Sequence, residues 1–374
     1  MSDNHTLFLF PGASRINRLD GINTGEVPKE FYYGYLYLKE QGYSAEVADT
    51  HDCKKSIINK MLLNYEIKRN SFLNFGISKQ RVIALENKIN NAETAISFTD
   101  GFSLSMGLYH KKYKKETILI GGFHGLSDIL KFVKPGIRKY ADYKIRKALN
   151  KLDHIFFFGD ADQKQAIEYF NIKKDKTSLF KFGVDTDFWA PPNTNIDKNY
   201  ILSVGSDRNR DYDTLTSTSI SIPIKILTRL PISFSPSKDI ELIKGNYFDS
   251  PITDTVLRNM YQKSSMVVVP VHDVYQPSGY SVTLQAMSCG KVVILSNFKG
   301  LWDRDIFISN KNCILVSPNN TMELQKAINK IHSDHKLRKK IENSARETAI
   351  KNFSLHRMND GIRKIIDRKK ISNN

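Results

Sequence analysis

A chain of 374 residues is too long for one typical hydrophobic core, so two domains are expected. Its hydrophobic content of 40% and charged content of 25% are typical of a globular protein. Lys and Arg total 56 against 39 Asp and Glu, a net charge of +17. This excess favours a polyanionic partner, namely nucleic acid, an anionic bilayer surface or a phosphorylated substrate.

The cysteines Cys53, Cys289 and Cys313 are widely spaced and odd in number. This spacing argues against a disulfide framework or a zinc site and favours a reducing compartment. No apolar run approaches the roughly 20 residues that span a bilayer, and the first residues are more typical of a strand than of a signal peptide. We therefore expect a cytoplasmic protein, with peripheral contact to the inner face of a membrane as an open alternative.

Short apolar strands alternate with helical patterns along the chain, which indicates parallel α/β layers. A helix is predicted over Pro28–Gln41, with Gly42 at its C-terminal end. The turn-rich segment Phe182–Pro192 breaks the periodicity and predicts a domain boundary. The predicted strands are Leu7–Phe10, Ala45–Ala48, Ala95–Phe98, Thr117–Ile120, His154–Phe158, Tyr200–Val204, Ile224–Leu227, Met266–Pro270, Val292–Leu295 and Cys313–Val316.

Glycine-bearing or charged loops follow four of these strands, at the strand ends where ligands bind in doubly wound folds. One of them, Gln276–Gly279, leads into a helix-like segment that stops at Gly290. Backbone N–H groups at a helix N-terminus form an anion site, and Ser and Gly let a ligand approach them closely. A plain serine-capped turn explains the same residues.

Four segments in register resemble the glycosyltransferases of the GT-B fold, most closely the retaining enzymes of family 4. Phe182–Phe188 resembles the interdomain "GVD" segment of that family, and Ile201–Asp211 its glycine turn with basic residues. Gln276–Ile294 resembles the donor-sugar motif, and Ser344–Arg346 followed by Phe353–Ser354 resembles the tail before the last helix. The resemblance implies two Rossmann-like doubly wound domains that face a cleft, with a C-terminal helix that returns to the first domain.

The implied division has four parts. They are an acceptor-binding domain over residues 1–185, a linker over 186–199, a nucleotide-sugar-binding domain over 200–352 and the returning helix over 353–374.

The donor motif departs from the family pattern at both of its glutamates. Alignment on Ala286 and Met287 places Pro277 at the first glutamate and Gln285 at the second. Gln276, one residue away, could reach the sugar hydroxyls instead, and Gln285 can still hydrogen-bond a ribose as donor and acceptor. The departure also leaves a catalytically silent relative open.

Arg208 and Arg210 follow Gly205 at the end of a predicted strand. A diphosphate leaving group needs cations that neutralise its charge as the glycosidic bond breaks, and arginine offers a bidentate fork for this purpose. We therefore predict catalytic roles for both arginines. A solvated charged loop is the alternative, because Asp207 and Asp211 are adjacent.

The turn before the predicted helix supplies the other half of the donor site. Ser278 allows close approach, while Gly279, Tyr280, Ser281 and Val282 offer backbone N–H groups to phosphate and sugar.

Three further residues are assigned, His124 and Gly25 from the resemblance and Asp100 from its position just past a predicted strand. His124 is predicted to hydrogen-bond a sugar hydroxyl, with a packing or capping histidine as the alternative. Asp100 is assigned either to acceptor contact or to a helix cap. Gly25 resembles the glycine turn under the first helix of the family, although an N-cap by Thr24 explains the local sequence equally well.

Basic and apolar residues interleave over Lys131–Lys151, and the cluster Lys111–Lys115 adds further positive charge. This composition is typical of an interfacial helix on anionic lipid, and a solvated helix face is the alternative. The basic residues of the longer segment are Lys131, Lys134, Arg138, Lys139, Lys144, Arg146, Lys147 and Lys151.

The resulting hypothesis is a retaining enzyme that transfers a hexose from a nucleotide diphosphate sugar, preferably a UDP-sugar, to a hydroxyl of a membrane lipid, a lipid-linked saccharide or a surface glycan. The resemblance implies a metal-independent reaction without a cofactor, and Asp185-Thr-Asp187 lies in the interdomain segment rather than in a donor loop. A nucleic-acid-binding protein has only the charge in its favour, and no G-x-G-x-x-G supports a dehydrogenase. Nothing in the sequence indicates the oligomeric state.

Overall fold

The computed structural model describes residues 5–10, 15–49, 57–111, 117–194, 199–235, 239–245 and 252–371, without the side chains of residues 368–371. Cys53 and residues 112–115 of the basic cluster lie outside this part of the chain. The chain divides into two compact units. Unit 1 comprises Met1–Leu19, Phe31–Lys181 and Asn359–Asn374, and unit 2 comprises Asp20–Glu30 and Phe182–Met358.

Unit 1 is built on a parallel sheet in the order β2-β1-β3-β4-β5-β6. The five predicted strands of the first half are confirmed, and the edge strand β6 is additional. The topological switch point, where ligands bind in such sheets, lies between β1 and β3. The strands are β1 Thr6–Phe10, β2 Ala45–Asp49, β3 Thr94–Ser97, β4 Ile118–Phe123, β5 His154–Phe157 and β6 Thr177–Leu179.

Helices cover this sheet and bury a core rich in aliphatic and phenylalanine side chains. The predicted helix Pro28–Gln41 is interrupted, because Tyr33 and Gly34 adopt positive φ angles of 49° and 88°. A 3-10 turn over Glu30–Tyr32 precedes them, and Gly42, at φ 80°, follows the regular helix as predicted. The helices are α1 Asp20–Asn23 (in unit 2), α2 Tyr35–Glu40, α3 Ile57–Leu73, α4 Lys79–Ala84, α5 Glu86–Asn91, α6 Asp100–Tyr109, α7 Ile129–Phe132, α8 Arg138–Lys151 and α9 Asp160–Phe170.

Unit 2 has the strand order β12-β11-β10-β7-β8-β9, again all parallel. All five predicted strands are present, and the edge strand β9 is additional. The order reverses between β7 and β10, which makes this the switch point of unit 2. The strands are β7 Tyr200–Val204, β8 Ile224–Thr228, β9 Ile240–Lys244, β10 Ser264–Val269, β11 Val293–Ser296 and β12 Ile314–Val316.

The helices of unit 2 end with one that continues into unit 1. They are α10 Tyr212–Thr216, α11 Asp254–Lys263, α12 Tyr280–Ser288, α13 Thr321–Ser333, α14 His335–Phe353 and α15 Leu355–Ile371. Within unit 1, Ile362 of α15 packs so closely on Gly34 that a Cβ there would lie 2.4 Å from the Ile362 Cγ2. The expected return of the C-terminal helix to the first domain is therefore observed.

The compact units differ from the predicted domain boundaries at an internal segment and at the start of unit 2. Residues 20–30, expected in the first domain, group with unit 2 because Glu30 accepts hydrogen bonds from Trp189 Nε1 at 2.7 Å and Asp185 N at 3.2 Å. Asp185 in turn accepts from Lys29 N at 3.2 Å. Unit 2 also begins at Phe182, so the segment predicted as a linker is part of its body.

Candidate functional site

The switch point of unit 2 brings together the two loops that the sequence singled out. The loop after β7 pairs with the loop after β10 through Asp211 N, which donates to Pro270 O at 3.1 Å, and His272 N, which donates to Asn209 O at 2.9 Å. An antiparallel bridge between Arg210 and Val271 lies between these two bonds. The predicted basic turn and the predicted glycine turn thus form one edge of the sheet.

Gly205 forms the first turn, with a φ of 148°. Tyr212 donates its hydroxyl hydrogen to Gly205 O at 2.7 Å and fixes the turn. A Cβ at Gly205 would lie 2.4 Å from Nε of Arg210, so any side chain here would displace the guanidinium. Glycine is required because the arginine lies directly on the backbone.

Gly279 forms the second turn and begins α12, with a φ of 85°. A Cβ at this position would lie 2.7 Å from Val269 Cγ1 and 3.0 Å from Nη1 of Arg210. Arg210 therefore packs between the two glycine turns. The structure brings together Gly205, Arg210 and Gly279, as the sequence predicted.

Arg210 is 6% exposed, and its Nε and Nη1 have no hydrogen-bond partner among the described residues. The side chain Oγ of Ser278, 2% exposed, is likewise unpartnered in this part of the structure. Gly279 offers no side chain to cap the first N–H groups of α12. The two adjoining turns thus hold the buried guanidinium of Arg210, the Ser278 hydroxyl and the positive end of the α12 dipole. All three groups would be stabilised by a bound anion.

Arg208 differs from Arg210 in its surroundings. The side chain of Arg208 is exposed, whereas Arg210, two residues later, is enclosed by both turns. The sequence assigned both arginines to phosphate without distinguishing them. The geometry favours Arg210, because a buried guanidinium is less screened by water than an exposed one.

Gln276, predicted to reach a sugar hydroxyl, joins the two loops instead. Its Oε1 accepts from Asn209 Nδ2 at 3.1 Å, and its Nε2 donates to Asp207 Oδ2 at 2.7 Å. Asn209, 4% exposed, was missed by the sequence analysis, because nothing in a single sequence marks a loop amide as buried. Gln276 therefore has a clear structural role in the described site.

The three residues after Gly279 form the first turn of α12. Tyr280 packs on Trp302 with ring centroids 4.0 Å apart and the rings tilted by 32°, and its hydroxyl donates to Asp303 at 3.4 Å. Burial raises the pKa of Tyr280 well above its usual value. Ser281 is half-buried and Val282 is buried. The predicted N–H donors thus lie at the start of α12, with the Tyr280 side chain held in the core.

Gln285, predicted to contact a ribose, takes part in a buried network. Its Nε2 donates to Glu30 Oε1 at 3.0 Å, and its Oε1 accepts from the Tyr261 hydroxyl at 3.3 Å. Trp189 Nε1 donates to the same Glu30 oxygen at 2.7 Å. Burial raises the pKa of Glu30 to about 7, partly offset by these bonds. Glu30 carries no motif, so the sequence could not identify it.

In unit 1, His124 and Asp100 lie together at the ends of β4 and β3. His124 N donates to Asp100 Oδ1 at 3.1 Å, and the imidazole Nε2 donates to Phe98 O at 2.9 Å. The imidazole also stacks on Phe158 with centroids 4.0 Å apart. Burial raises the pKa of Asp100, and the nearby His124 opposes the shift. Asp100 thus holds the loop at His124 and Gly125, rather than only starting α6.

Gly25 lies in the segment that groups with unit 2, whereas His124 and Asp100 belong to unit 1. It follows α1 with a φ of 72°, and no atom of the described residues lies within 4 Å of a Cβ built on it. Thr24 does not cap a following helix, because its hydroxyl donates back to Gly21 O at 3.2 Å. The capping alternative for Thr24 is therefore wrong.

The basic segment Lys131–Lys151 forms α7, a 3-10 turn and α8. The aliphatic residues of α8 that suggested an interfacial helix, including Ile145 and Leu149, are buried in the core of unit 1. Tyr140 and Tyr143 remain exposed, at 54% and 58%. By itself, α8 therefore presents mainly a basic and tyrosine-bearing face.

Within the described ranges, no group of three or more His, Cys, Asp or Glu side chains is arranged to hold a metal ion. No helix in the same ranges is long and apolar enough to span a membrane. The metal-independent mechanism remains a prediction.

Comparison with known proteins gives a family match in unit 2. Residues 240–348 match the family model described as glycosyl transferases group 1. This range includes the Gly279 turn but not Gly205 or Arg210. An uncharacterised glycosyltransferase of Methanocaldococcus jannaschii is 29% identical over 140 residues, which cover 35% of this chain and 35% of that protein. The match thus spans about a third of the curated relative.

Three solved structures share the fold over most or all of the chain. Sucrose-phosphate synthase of Thermosynechococcus elongatus has a TM-score of 0.66 at 14% identity, covering 99% of this chain and 100% of that one. Anabaena HepE in complex with UDP-glucose has a TM-score of 0.65 at 13% identity, covering 97% and 99%. A variant of S. aureus TarM in complex with fondaparinux, α-GlcNAc-glycerol and UDP has a TM-score of 0.56 at 14% identity, covering 76% and 58%.

These likenesses and the two six-stranded parallel sheets confirm the expected α/β fold of the GT-B class. The family match in unit 2 and this fold together support a glycosyltransferase.

Proposed function

We propose that the protein is a retaining glycosyltransferase that moves a hexose from a UDP-sugar to a hydroxyl of a membrane lipid, a lipid-linked saccharide or a surface glycan. The observation that carries the proposal is Arg210, a buried guanidinium between the Gly205 and Gly279 turns whose Nε and Nη1 have no hydrogen-bond partner in the part of the chain that the structure describes. A diphosphate at this point would pair with the guanidinium and with the first N–H groups of α12.

The chemistry requires charge stabilisation where the donor bond breaks. As the bond from the anomeric carbon to the diphosphate lengthens, negative charge accumulates on the diphosphate oxygens. Arg210 is already held beside the start of α12, so a diphosphate bound there would need little reorganisation of these groups at the moment of reaction. Gln276, by joining Asp207 and Asn209, holds the arginine-bearing loop in register with the Gly279 turn. Catalysis would then lie mainly in orientation and electrostatics.

The donor and acceptor classes are the finer part of the proposal. The complex of HepE with UDP-glucose supports a UDP-sugar, and the TarM complex with UDP and a GlcNAc-glycerol supports a glycan-type acceptor. The net charge of +17 favours an acceptor held at an anionic surface. Retention and metal independence follow from the resemblance to family 4.

A thermal-shift screen with UDP-, GDP-, ADP- and dTDP-sugars tests the donor site, since ligand binding raises the apparent stability by mass action. We expect the largest rise in melting temperature with a UDP-sugar. Arg210→Ala should abolish most of the rise, whereas Arg208→Ala, an equal loss of charge at an exposed position, should retain most of it. No rise with any of the four classes, or equal effects of both substitutions, would contradict the proposed site.

A catalytically silent scaffold is the second candidate. The engagement of Gln285 with Glu30 and Tyr261 favours it, because this amide already has partners on both of its polar atoms. A wild-type protein that binds a nucleotide sugar but neither hydrolyses it nor transfers its sugar to lipid or glycan acceptors would support this candidate.

A further inference from the structure

Helix α3 of unit 1 presents an unusual apolar face to solvent. Ile57 is 80% exposed, Ile58 68%, Met61 67%, Tyr65 64% and Phe72 67%. With 3.6 residues per turn, these positions fall on one side of the helix. Isolated exposed apolar residues are ordinary, but five on one side of one helix, interrupted there by the exposed Lys68, indicate an interaction surface. We call these five residues the α3 face.

The opposite side of α3 is anchored, so the α3 face is held outward. Leu63 and Glu66 are buried. The Glu66 carboxylate accepts from Ser78 Oγ at 2.5 Å, from Lys79 N at 3.1 Å and from Gln80 N at 3.2 Å. Rotating α3 about its axis to bury the α3 face would break these hydrogen bonds of Glu66 without replacing them.

The surroundings of the α3 face are basic. Glu66, which is buried, is the only acidic residue of the helix, whereas Lys60 and Lys68 are exposed. At the end of α3, the Lys134 ammonium lies 3.1 Å from the Phe72 ring centroid, and Lys134 N donates to Leu73 O at 3.3 Å.

Helix α8 extends this surface. Lys134 N donates to Leu73 O of α3 at 3.3 Å, and Lys134 directly precedes the 3-10 turn Pro135–Ile137 that leads into α8, so the start of α8 lies beside the end of α3. On α8, the carboxylate of Asp142 is paired with Arg146 at 2.9 Å. The exposed Tyr140 and Tyr143 add amphipathic rings of the kind that occur at membrane interfaces.

We propose that the α3 face, with the basic residues of α3 and the Lys131–Lys151 segment around it, docks on the surface of an anionic lipid bilayer. The aliphatic and aromatic side chains enter the acyl boundary, and the lysines remain at the level of the lipid phosphates. A second copy of the chain is disfavoured as the occupant, because pairing two such faces would oppose like charges in a protein of net charge +17. The inference deepens the proposed function, since it supplies the membrane at which a lipid acceptor is presented.

The test is flotation of the full-length protein with vesicles of phosphatidylcholine alone and of phosphatidylcholine mixed with phosphatidylglycerol. Wild type should float with the anionic vesicles and much less with the neutral ones. The double substitution Ile58→Ser with Met61→Ser should weaken binding about tenfold or more, because two aliphatic side chains no longer leave water. Met322→Ser on α13 of unit 2, 70% exposed in wild type, is the matched control and should bind as wild type does.

The double substitution Lys60→Gln with Lys68→Gln should reduce binding and its salt dependence without changing the neutral-vesicle result. Equal flotation of wild type and the Ile58/Met61 variant would overturn the proposal. The proposal would also be overturned if light scattering showed that wild type is a dimer and the Ile58/Met61 variant a monomer. A second copy of the chain would then cover the α3 face. The UDP-sugar thermal shift of the same variants reports on the donor site separately, so failure at the membrane is distinguishable from failure of the proposed function.

Discussion

Unit 1 and unit 2 both carry polar side chains at the carboxyl ends of their parallel strands, but they satisfy these groups differently. In unit 1, the backbone and ring of His124 bond to Asp100 and Phe98. In unit 2, the guanidinium of Arg210 is buried with two nitrogens unpaired among the described residues. The difference leaves unit 2 with a buried cation that the proposed diphosphate would pair, whereas unit 1 offers a histidine whose position is already fixed.

The largest effect is expected at the Gly279 turn. Gly279→Val would place a branched side chain 2.7 Å from Val269 Cγ1 and 3.0 Å from Nη1 of Arg210, at a φ of 85°. We expect turnover to fall by about 10²–10³, the range seen when one stabilising donor group is lost. Steady-state kinetics with the best donor from the screen provide the measurement.

Gly42→Ala is the control for the positive φ alone, because Gly42 has a φ of 80° and no atom within 4 Å of a built Cβ. It should cost about 1 kcal/mol of stability and leave turnover unchanged. Comparable turnover in the Gly279→Val variant and wild type would remove the Gly279 turn from the site.

Stability is expected to depend on pH through one buried carboxyl in each unit. Burial raises the pKa of Glu30 from 4.5 to about 7 and that of Asp162 from 3.8 to about 7. The folded chain therefore holds these protons at pH values where the unfolded chain has lost them. Stability from this source is full below about pH 4 and is lost as the pH rises to about 7, at a cost of about 3 kcal/mol for Glu30 and about 4 kcal/mol for Asp162.

Urea unfolding across this pH range measures how steeply the free energy of unfolding falls with pH. Glu30→Gln should remove the part of the slope that comes from unit 2, and Asp162→Asn the part that comes from unit 1. Slopes identical to wild type in both variants would show that neither carboxyl retains its proton in the folded state.

A smaller effect is expected at His124. His124→Ala removes the ring that bonds Phe98 O and stacks on Phe158, together with any contact to a sugar hydroxyl. We expect about a tenfold loss of turnover, the value of one hydrogen bond, with the UDP-sugar thermal shift unchanged. A weakened thermal shift would instead place His124 with the donor, and unchanged turnover would assign the residue to packing alone.

The strands that the sequence predicted and those it missed differ in burial. The ten predicted strands are short apolar runs, and the central ones are buried along their whole length, as in Ser264–Val269. The two missed strands lie at sheet edges. Thr177–Leu179 becomes exposed towards its end, and Ile240–Lys244 mixes charged with partly exposed apolar residues. Edge strands need fewer apolar residues, so composition marks them weakly.

The candidate site likewise contains residues that the sequence predicted and contacts that it missed. Glycine and arginine at the ends of strands are visible in a single sequence, and Gly205, Arg210 and Gly279 were predicted together. Which arginine is buried depends on the pairing of two loops far apart in the chain, through the bridge between Arg210 and Val271. The partner of Gln285 is Glu30, 255 positions away. Neither contact has a local signal.

The smallest predicted effect concerns the link between the two loops of unit 2. Gln276→Ala removes the hydrogen bonds to Asn209 and Asp207, at 3.1 Å and 2.7 Å, but leaves Arg210 and both glycines in place. Two part-exposed hydrogen bonds are worth about 1–2 kcal/mol. If Gln276 only aligns the loops, Gln276→Ala should raise the Michaelis constant for the donor a few-fold with turnover nearly unchanged. Gln276→Glu should then raise this constant more than Gln276→Ala does, because its carboxylate would face Asp207. If Gln276 contacts the sugar, as the sequence suggested, turnover itself should fall, and donors that differ at one sugar hydroxyl should lose their differences in rate.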